Sequence, residues 1–248
     1  MLIFYININI IIFYIIIFYI KDIKCYYVNK NNMNLLKDKY TTLCNTSSDI
    51  NEHLPTLKSY AQECNSVFET GVRGVVSSYA LLYGLVENTN TNNKQIFLND
   101  IEQCDIFEFK KLAEANSISV KYEWRNNLDL VFSTDETYDL TFIDTWHVYG
   151  QLKRELTKFS KITNKYIIMH DTEIDGIHGE TKRSGGLYNN LYINNSLDGL
   201  VARTNIPKHE ILKGLLPALD EFLSANTNWI MDKQYKNNNG LTILKRIA

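Results

Sequence analysis

The sequence predicts an α/β fold: a mainly parallel sheet covered by helices on both faces, closed by an antiparallel C-terminal hairpin. Three observations carry this. From Ser66 to Asp171, short apolar runs alternate with helix-length amphipathic segments, the rhythm of a parallel sheet with crossover helices. The runs end at Gly71, Asp100, Asp144 and Asp171, residue types that suit the carboxyl-end crevice of such a sheet. Finally, Trp229–Tyr235 and Leu241–Ile247 flank Asn237-Asn238-Asn239-Gly240, a hairpin signal in which Gly240 is free to take positive φ.

Residues 1–32 stand apart. Leu2 to Ile20 holds only Asn7 and Asn9 as strongly polar residues, and a span of about 20 apolar residues is long enough to cross a bilayer. The segment lacks the basic start and small-residue cleavage site of a secretory signal. Lys21 and Lys24 would keep the following domain in the cytoplasm. The segment is nearly all Ile, Phe, Tyr, Asn and Lys, whose codons are AT-rich. Three readings stay open: a membrane anchor, upstream sequence translated in frame ahead of a start at Met33, and a buried helix. The chain thus divides into a hydrophobic segment 1–32 and a domain 33–248, cytoplasmic either free or tethered through residues 2–20.

Within that domain, Lys30 to Asp49 reads as polar and irregular. Asp49 and Glu52 have capping-box spacing, and Leu54, Leu57, Tyr60, Ala61 and Cys64 follow on one helical face. Ser66–Glu69 is a strand ending at Gly71, and Val75–Val86 a helix packing through Val76, Ala80, Leu81 and Leu85. Past the polar loop Asn88–Asn93 come strand Gln95–Leu98, helix Phe107–Asn116 and strand Ser119–Trp124. Leu140–Ile143 and Tyr166–Met169 are two further strands with a helix between them. Residues 173–213 break the rhythm: a Gly- and Asn-rich stretch of that length reads as a lid or substrate loop. Leu215–Ala225 is a helix with Pro217 in its first turn, where proline is tolerated.

Composition narrows the function. A net charge of −2 gives no basic face for nucleic acid. Four widely spaced cysteines, Cys25, Cys44, Cys64 and Cys104, form no CxxC pair and read as free thiols. Chemistry concentrates instead at strand ends. Asp144 and Asp171 offer hard oxygens to a cation such as Mg²⁺. His170 is a weaker third ligand, since imidazole suits softer metals. His147 has the unperturbed pKa for proton transfer near neutrality. Glu69, Gly71 and Gly74 form a glycine turn ahead of a helix, and Asp100 stands where an acid can bind a ribose. His178, Glu180, Arg183 and His209 in the long loop face either solvent or substrate.

Four blocks carry a resemblance: VFETGVRGVVSSYALL (67–82), FIDTWHVYGQLKREL (142–156), YIIMHDT (166–172) and NNGLTILKR (238–246). The chain resembles the class I S-adenosylmethionine-dependent methyltransferases, and within them the group of cephalosporin-hydroxylase-like and macrolide-sugar O-methyltransferases. The resemblance covers Ser66 to Ala248. It implies a three-layer, Rossmann-like methyltransferase sheet of seven strands, one of them reversed at the end. It further implies O-methyl transfer to a hydroxyl of a sugar or small molecule, with S-adenosylmethionine as cofactor and Mg²⁺ or another divalent cation assisting. Residue by residue, Glu69, Gly71 and Gly74 match the first cofactor motif, and Ser77 a hydroxyl beside the cofactor carboxylate. Asp100 matches the ribose-binding acid, and Asn126 lies near the adenine. Asp144 and Asp171 match metal-ligand positions, with His170 beside the second. His147 takes the place that a basic lysine holds in catechol O-methyltransferase-like enzymes. The first motif departs from GxGxG, with Val72, Arg73 and Val75 crowding it. Two other readings remain: a metal-dependent hydrolase or hydroxylase-like enzyme on this sheet, and a catalytically silent, membrane-tethered binding protein. A homo-oligomer is compatible with all of them.

Overall fold

In a computed structural model of the chain we describe residues 32–90, 93–183 and 197–247. The candidate membrane segment 2–20 lies outside them, as do residues 184–196 of the long loop. Among the described residues, no helix is long and apolar enough to cross a membrane.

Seven strands form one sheet: β1 (Ser66–Thr70), β2 (Lys94–Asp100), β3 (Ile118–Trp124), β4 (Tyr138–Ile143), β5 (Thr163–His170), β6 (Trp229–Tyr235) and β7 (Leu241–Arg246). Their order is β3-β2-β1-β4-β5-β7-β6. The first five strands pair in parallel, and β7 runs antiparallel to both β5 and β6. This is the Rossmann-like, mainly parallel sheet with an antiparallel C-terminal hairpin that the sequence predicts.

Alternation along the strands builds two cores. Val67, Ile96, Leu98, Leu140, Phe142 and Ile168 face a layer made by helix α1 (residues 32–45), α2 (Leu54–Ala61), α3 (Val76–Glu87) and α4 (Phe107–Ala115). Phe68, Phe97, Ile143, Ile167, Met169 and Leu244 face α5 (Tyr149–Phe159) and α9 (Leu216–Ala225) on the other side. Both faces are covered, so each strand reads as a near-continuous apolar run.

Three expectations are corrected. The stretch read as irregular, Lys30 to Asp49, contains α1. Its apolar stripe is thin: Leu36 is fully buried, and Tyr40, Leu43 and Cys44 pack partly against the first core. Thr41, Thr42, Asn45 and Thr46 mask the helix in the sequence, yet each bonds back to the carbonyl four residues earlier. The capping box does not form: Ile50 occupies the N-cap of the turn Asn51–His53, and Asp49 pairs with Arg73. The segment 173–213 is not one long loop. It holds α6 (Glu180–Arg183), α7 (Leu197–Thr204) and α8 (Lys208–Ile211), each too short to leave a periodic signature. Leu200, Ile206 and Ile211 from this segment cover Trp146 and Val148 in a small third core.

Candidate active site

The strand order reverses at β1, with β2 on one side and β4 on the other, and such a switch point opens a crevice at the carboxyl ends. Gly71 leaves β1 there at φ +89°, donating its N–H to the Asn99 carbonyl at 2.9 Å. A Cβ on Gly71 would lie 1.8 Å from the Asp144 carbonyl oxygen. The turn after β1 and the turn after β4 therefore share one wall, and only glycine permits that approach.

On the β1 side, Glu69 is fully buried. Ser77, at the start of α3, donates its hydroxyl to Glu69 Oε1. Oε2 of the same carboxyl has no hydrogen-bond partner. Burial pushes Glu69 up to about 8, against the pull of the Ser77 and Ser78 hydroxyls. The N-terminus of α3 has no side-chain cap, so its first N–H groups remain available to a ligand. Asp100 Oδ2 accepts from the Arg73 N–H and Oδ1 from the Glu102 N–H, both at 2.8 Å, so backbone fixes the carboxylate at the crevice edge. The crowding of the first motif is resolved in the backbone. Arg73 and Val75 take positive φ, 43° and 62°, while Gly74 does not, and a Cβ at Gly74 would meet nothing closer than 3.9 Å. The Arg73 side chain turns out to Asp49. Asn126 caps the turn Asn127–Asp129 by accepting from the Leu128 N–H.

On the β4–β5 side, four side chains meet. Asp144 Oδ1 lies 3.1 Å from His147 Nε2 and 3.5 Å from His170 Nδ1, and Asp171 Oδ2 lies 3.2 and 3.3 Å from the same two nitrogens. Asp144, His147 and Asp171 bring ligand atoms close enough together to hold one metal ion. Asp171 takes φ 56°, a left-handed conformation that aspartate tolerates better than most residues. Burial works against charge on Asp144, His147 and His170, but their mutual contacts outweigh it. Asp144 falls well below the usual carboxylate range beside His147 and His170. His147 rises well above its usual value, and His170 rises to about 10 through Asp144 and Asp171. Carboxylates that draw protons onto two imidazoles would equally draw a cation in their place. The residues present thus fit a divalent ion.

Sequence reasoning missed the groups that hold these four. Asp175, fully buried, lies 3.4 Å from His147 Nδ1 and takes two bonds from Arg183, at 2.7 and 2.9 Å. Glu180 accepts the His147 N–H at 3.4 Å and stands 3.7 Å from Nδ1. Of the loop residues read as facing solvent or substrate, Glu180 is half-buried beside His147 and Arg183, though exposed, bonds the buried Asp175, whereas His178 and His209 are exposed. Asp175 carried no signal, because it lies beyond the strand end in the segment without periodicity. Asn127, next to the anticipated Asn126, is the buried one.

The architecture has the features that the resemblance implies: a Rossmann-like sheet of seven strands, mainly parallel, with a glycine turn after β1 and a reversed strand at the end. Comparison with solved structures finds distant likenesses, two O-methyltransferases among them. An O-methyltransferase from Bacillus cereus in complex with S-adenosylhomocysteine is 14% identical with a TM-score of 0.49, covering 89% of this chain and 90% of that one. The O-methyltransferase of tomaymycin synthesis from Streptomyces achromogenes, in complex with S-adenosylmethionine, is 14% identical with a TM-score of 0.48, covering 82% of each chain. No family model matches the sequence, and no curated protein does. The functional reading rests on the chain's own residues.

Proposed function

We propose that the protein is an S-adenosylmethionine-dependent O-methyltransferase acting on a hydroxyl of a sugar or small molecule, assisted by a divalent cation. The observation that carries this is the shared wall: Gly71 lies against the Asp144 carbonyl, so a cofactor cradle and a carboxylate–imidazole cluster open onto one crevice. A methyl donor and an acceptor hydroxyl need that adjacency, because alignment of the reacting atoms supplies several kcal/mol of catalysis.

Glu69 Oε2, buried and unpartnered, would take a donor group of the cofactor, and the uncapped start of α3 would take its carboxylate. Asp100 would accept from the ribose. S-adenosylmethionine supplies a methyl already activated on a sulfonium, which passes to the acceptor oxygen as the carbon–sulfur bond breaks. Asp144 and Asp171, with His170 beside them, would hold a divalent cation, which would supply positive charge to stabilise the forming alkoxide. With a cation rather than a proton neutralising Asp144 and Asp171, His147 would have Nε2 free to take the hydroxyl proton, while Asp175 accepts from Nδ1 and fixes that tautomer. Arg183 ties Asp175 to α6, so the segment covering the site also sets the base. Trp146 and Val148 beneath Leu200, Ile206 and Ile211 exclude water from that side.

Calorimetry with S-adenosylmethionine is the first test: saturable binding is expected, and its absence would overturn the methyltransferase reading in favour of a hydrolase-type or silent protein. His147→Ala should then keep cofactor affinity and lose about 10²–10⁴-fold in turnover. Unchanged turnover would remove His147 from the mechanism. Release of S-adenosylhomocysteine across a panel of glycans and nucleotide sugars identifies the acceptor.

A further inference from the structure

His170 contributes a feature beyond an oxygen-ligated magnesium site. Its side chain is almost fully buried at the end of β5. Nε2 lies 3.2 Å from the backbone carbonyl of Asn238, which can only accept, so Nε2 carries a hydrogen. That carbonyl is held in place. Asn238 lies in a hairpin turn at φ 44°, followed by Asn239 at 70° and Gly240 at 96°. Its side chain accepts from the Glu52 N–H at 3.1 Å and donates to the Ser48 carbonyl at 2.9 Å. His53, nearly fully buried, bonds the Asn237 carbonyl at 2.9 Å and sets its ring edge-on to His170 at 5.7 Å. The ring of His170 is thereby locked by segments far from it in sequence.

The other nitrogen, Nδ1, is buried without a hydrogen bond. It nonetheless points between two carboxylate oxygens, Asp171 Oδ2 at 3.3 Å and Asp144 Oδ1 at 3.5 Å. Ligand atoms about 2.0–2.2 Å from one first-row ion in tetrahedral array stand about 3.3–3.6 Å apart. A metal-binding histidine also characteristically donates its far N–H to a carbonyl or carboxylate, which orients the ring and fixes the tautomer. The Asn238 carbonyl occupies that position toward His170.

We infer that His170 Nδ1 is a nitrogen ligand beside Asp144 and Asp171, and that the centre selects a transition-metal ion such as Mn²⁺, Fe²⁺, Co²⁺ or Zn²⁺ over Mg²⁺. Magnesium favours an all-oxygen octahedron and sheds water reluctantly, so a rigid buried imidazole in its coordination shell works against it. The later ions accept mixed nitrogen and oxygen ligands. The inference rests on the metal part of the proposed function and not on methyl transfer.

The test uses the metal-free full-length chain, titrated calorimetrically with Mn²⁺ and, separately, with Mg²⁺, and electron spin echo spectroscopy of the Mn²⁺ form. Mn²⁺ should bind at least about tenfold more tightly than Mg²⁺, with a nitrogen coupling in the echo spectrum. His170→Asn should lower Mn²⁺ affinity about 10–100-fold and change Mg²⁺ affinity by less than about threefold. Should that variant fail to fold, His147→Ala serves: a nitrogen coupling retained there belongs to His170. Equal affinity for the two ions, or a spectrum of His147→Ala without nitrogen coupling, would overturn the inference. Binding of S-adenosylmethionine with no Mn²⁺ preference defeats this inference alone. Mn²⁺ preference without S-adenosylmethionine binding defeats the methyltransferase reading alone.

Discussion

Replacing Glu69 by Gln should make the ligand-free protein more stable and cost it the cofactor. The carboxyl is fully buried and sits at about 8, where an exposed glutamate sits at 4.5. Because the folded state raises its pKa, folding holds a proton that the unfolded chain releases. Stability from this group is therefore complete below about pH 4.5, falls as pH rises, and is fully lost above about 8. At about 1.4 kcal/mol per pH unit, the deficit is about 3 kcal/mol at pH 7 and about 4–5 kcal/mol above pH 8. A neutral Gln carries no such deficit. Its oxygen can still accept from Ser77. In urea denaturation without cofactor or metal, Gln should match the native protein near pH 4.5. It should exceed it by about 3 kcal/mol at pH 7, a rise of roughly 6–12 °C in Tm for a domain of this size. Calorimetry at pH 7 should show S-adenosylmethionine affinity reduced about tenfold, since the amide N–H₂ cannot accept at the Oε2 position and a donor left unpaired there costs about 1–3 kcal/mol. A stability gap that does not widen with pH would refute the argument, because it would mean that Glu69 is not held neutral by burial.

Two further substitutions separate the halves of the site. Asp175→Asn should leave cofactor affinity unchanged and lower kcat about 10²–10³-fold, since it removes the charged acceptor behind His147. The broken pair with the half-exposed Arg183 should cost about 1–2 kcal/mol in thermal denaturation. Gly71→Ala should destabilise by about 3 kcal/mol or more, and its S-adenosylmethionine binding should vanish in calorimetry. The new Cβ meets the Asp144 carbonyl on a residue already at φ +89°, so a fold of native stability would contradict the shared wall.

Much of this protein was readable because its strands are buried on both faces and its turns use distinctive residues. The runs at Ser66–Glu69, Gln95–Leu98, Leu140–Ile143 and Tyr166–Met169 end within two residues of where the strands end. Asp144, His147, His170 and Asp171 could be paired in advance because parallel strands bring their carboxyl ends to one edge. What stayed hidden was whatever depends on tertiary contact rather than period. The α1 helix is polar on most of its surface and survives through Leu36 and a few partly buried neighbours. Asp175 lies in a segment of short helices, and its importance comes from His147 and Arg183, 28 residues upstream and 8 downstream. The Asn238 carbonyl is backbone, so no side chain at that position announces the bond to His170.

The two halves of the crevice are joined by buried hydrogen bonds as well as by the glycine. Thr70 donates to the Asn99 side chain at 2.9 Å, and Asn99 donates to the Glu123 and Arg125 carbonyls, each at 2.9 Å. Asn127 donates to the Thr70 hydroxyl at 3.0 Å and also to Glu155, which accepts in addition from Gln151 at 2.8 Å and from Thr145 at 2.6 Å. These bonds run from the end of β1, through the end of β2 and the turn after β3, to the residue beside Asp144. Burial pushes the Glu155 carboxyl up and makes it costly, and three donors on one oxygen offset that only in part. Such a network earns its place only if the alignment it enforces matters, because an apolar filling of the same space would be easier to stabilise. A site that binds a cofactor on one side and an acceptor on the other has that need. A misplacement of about 1 Å between reacting atoms costs about a hundredfold in rate, so under the proposed function the rigid link between Thr70 and Thr145 would serve alignment as His147 would serve proton removal.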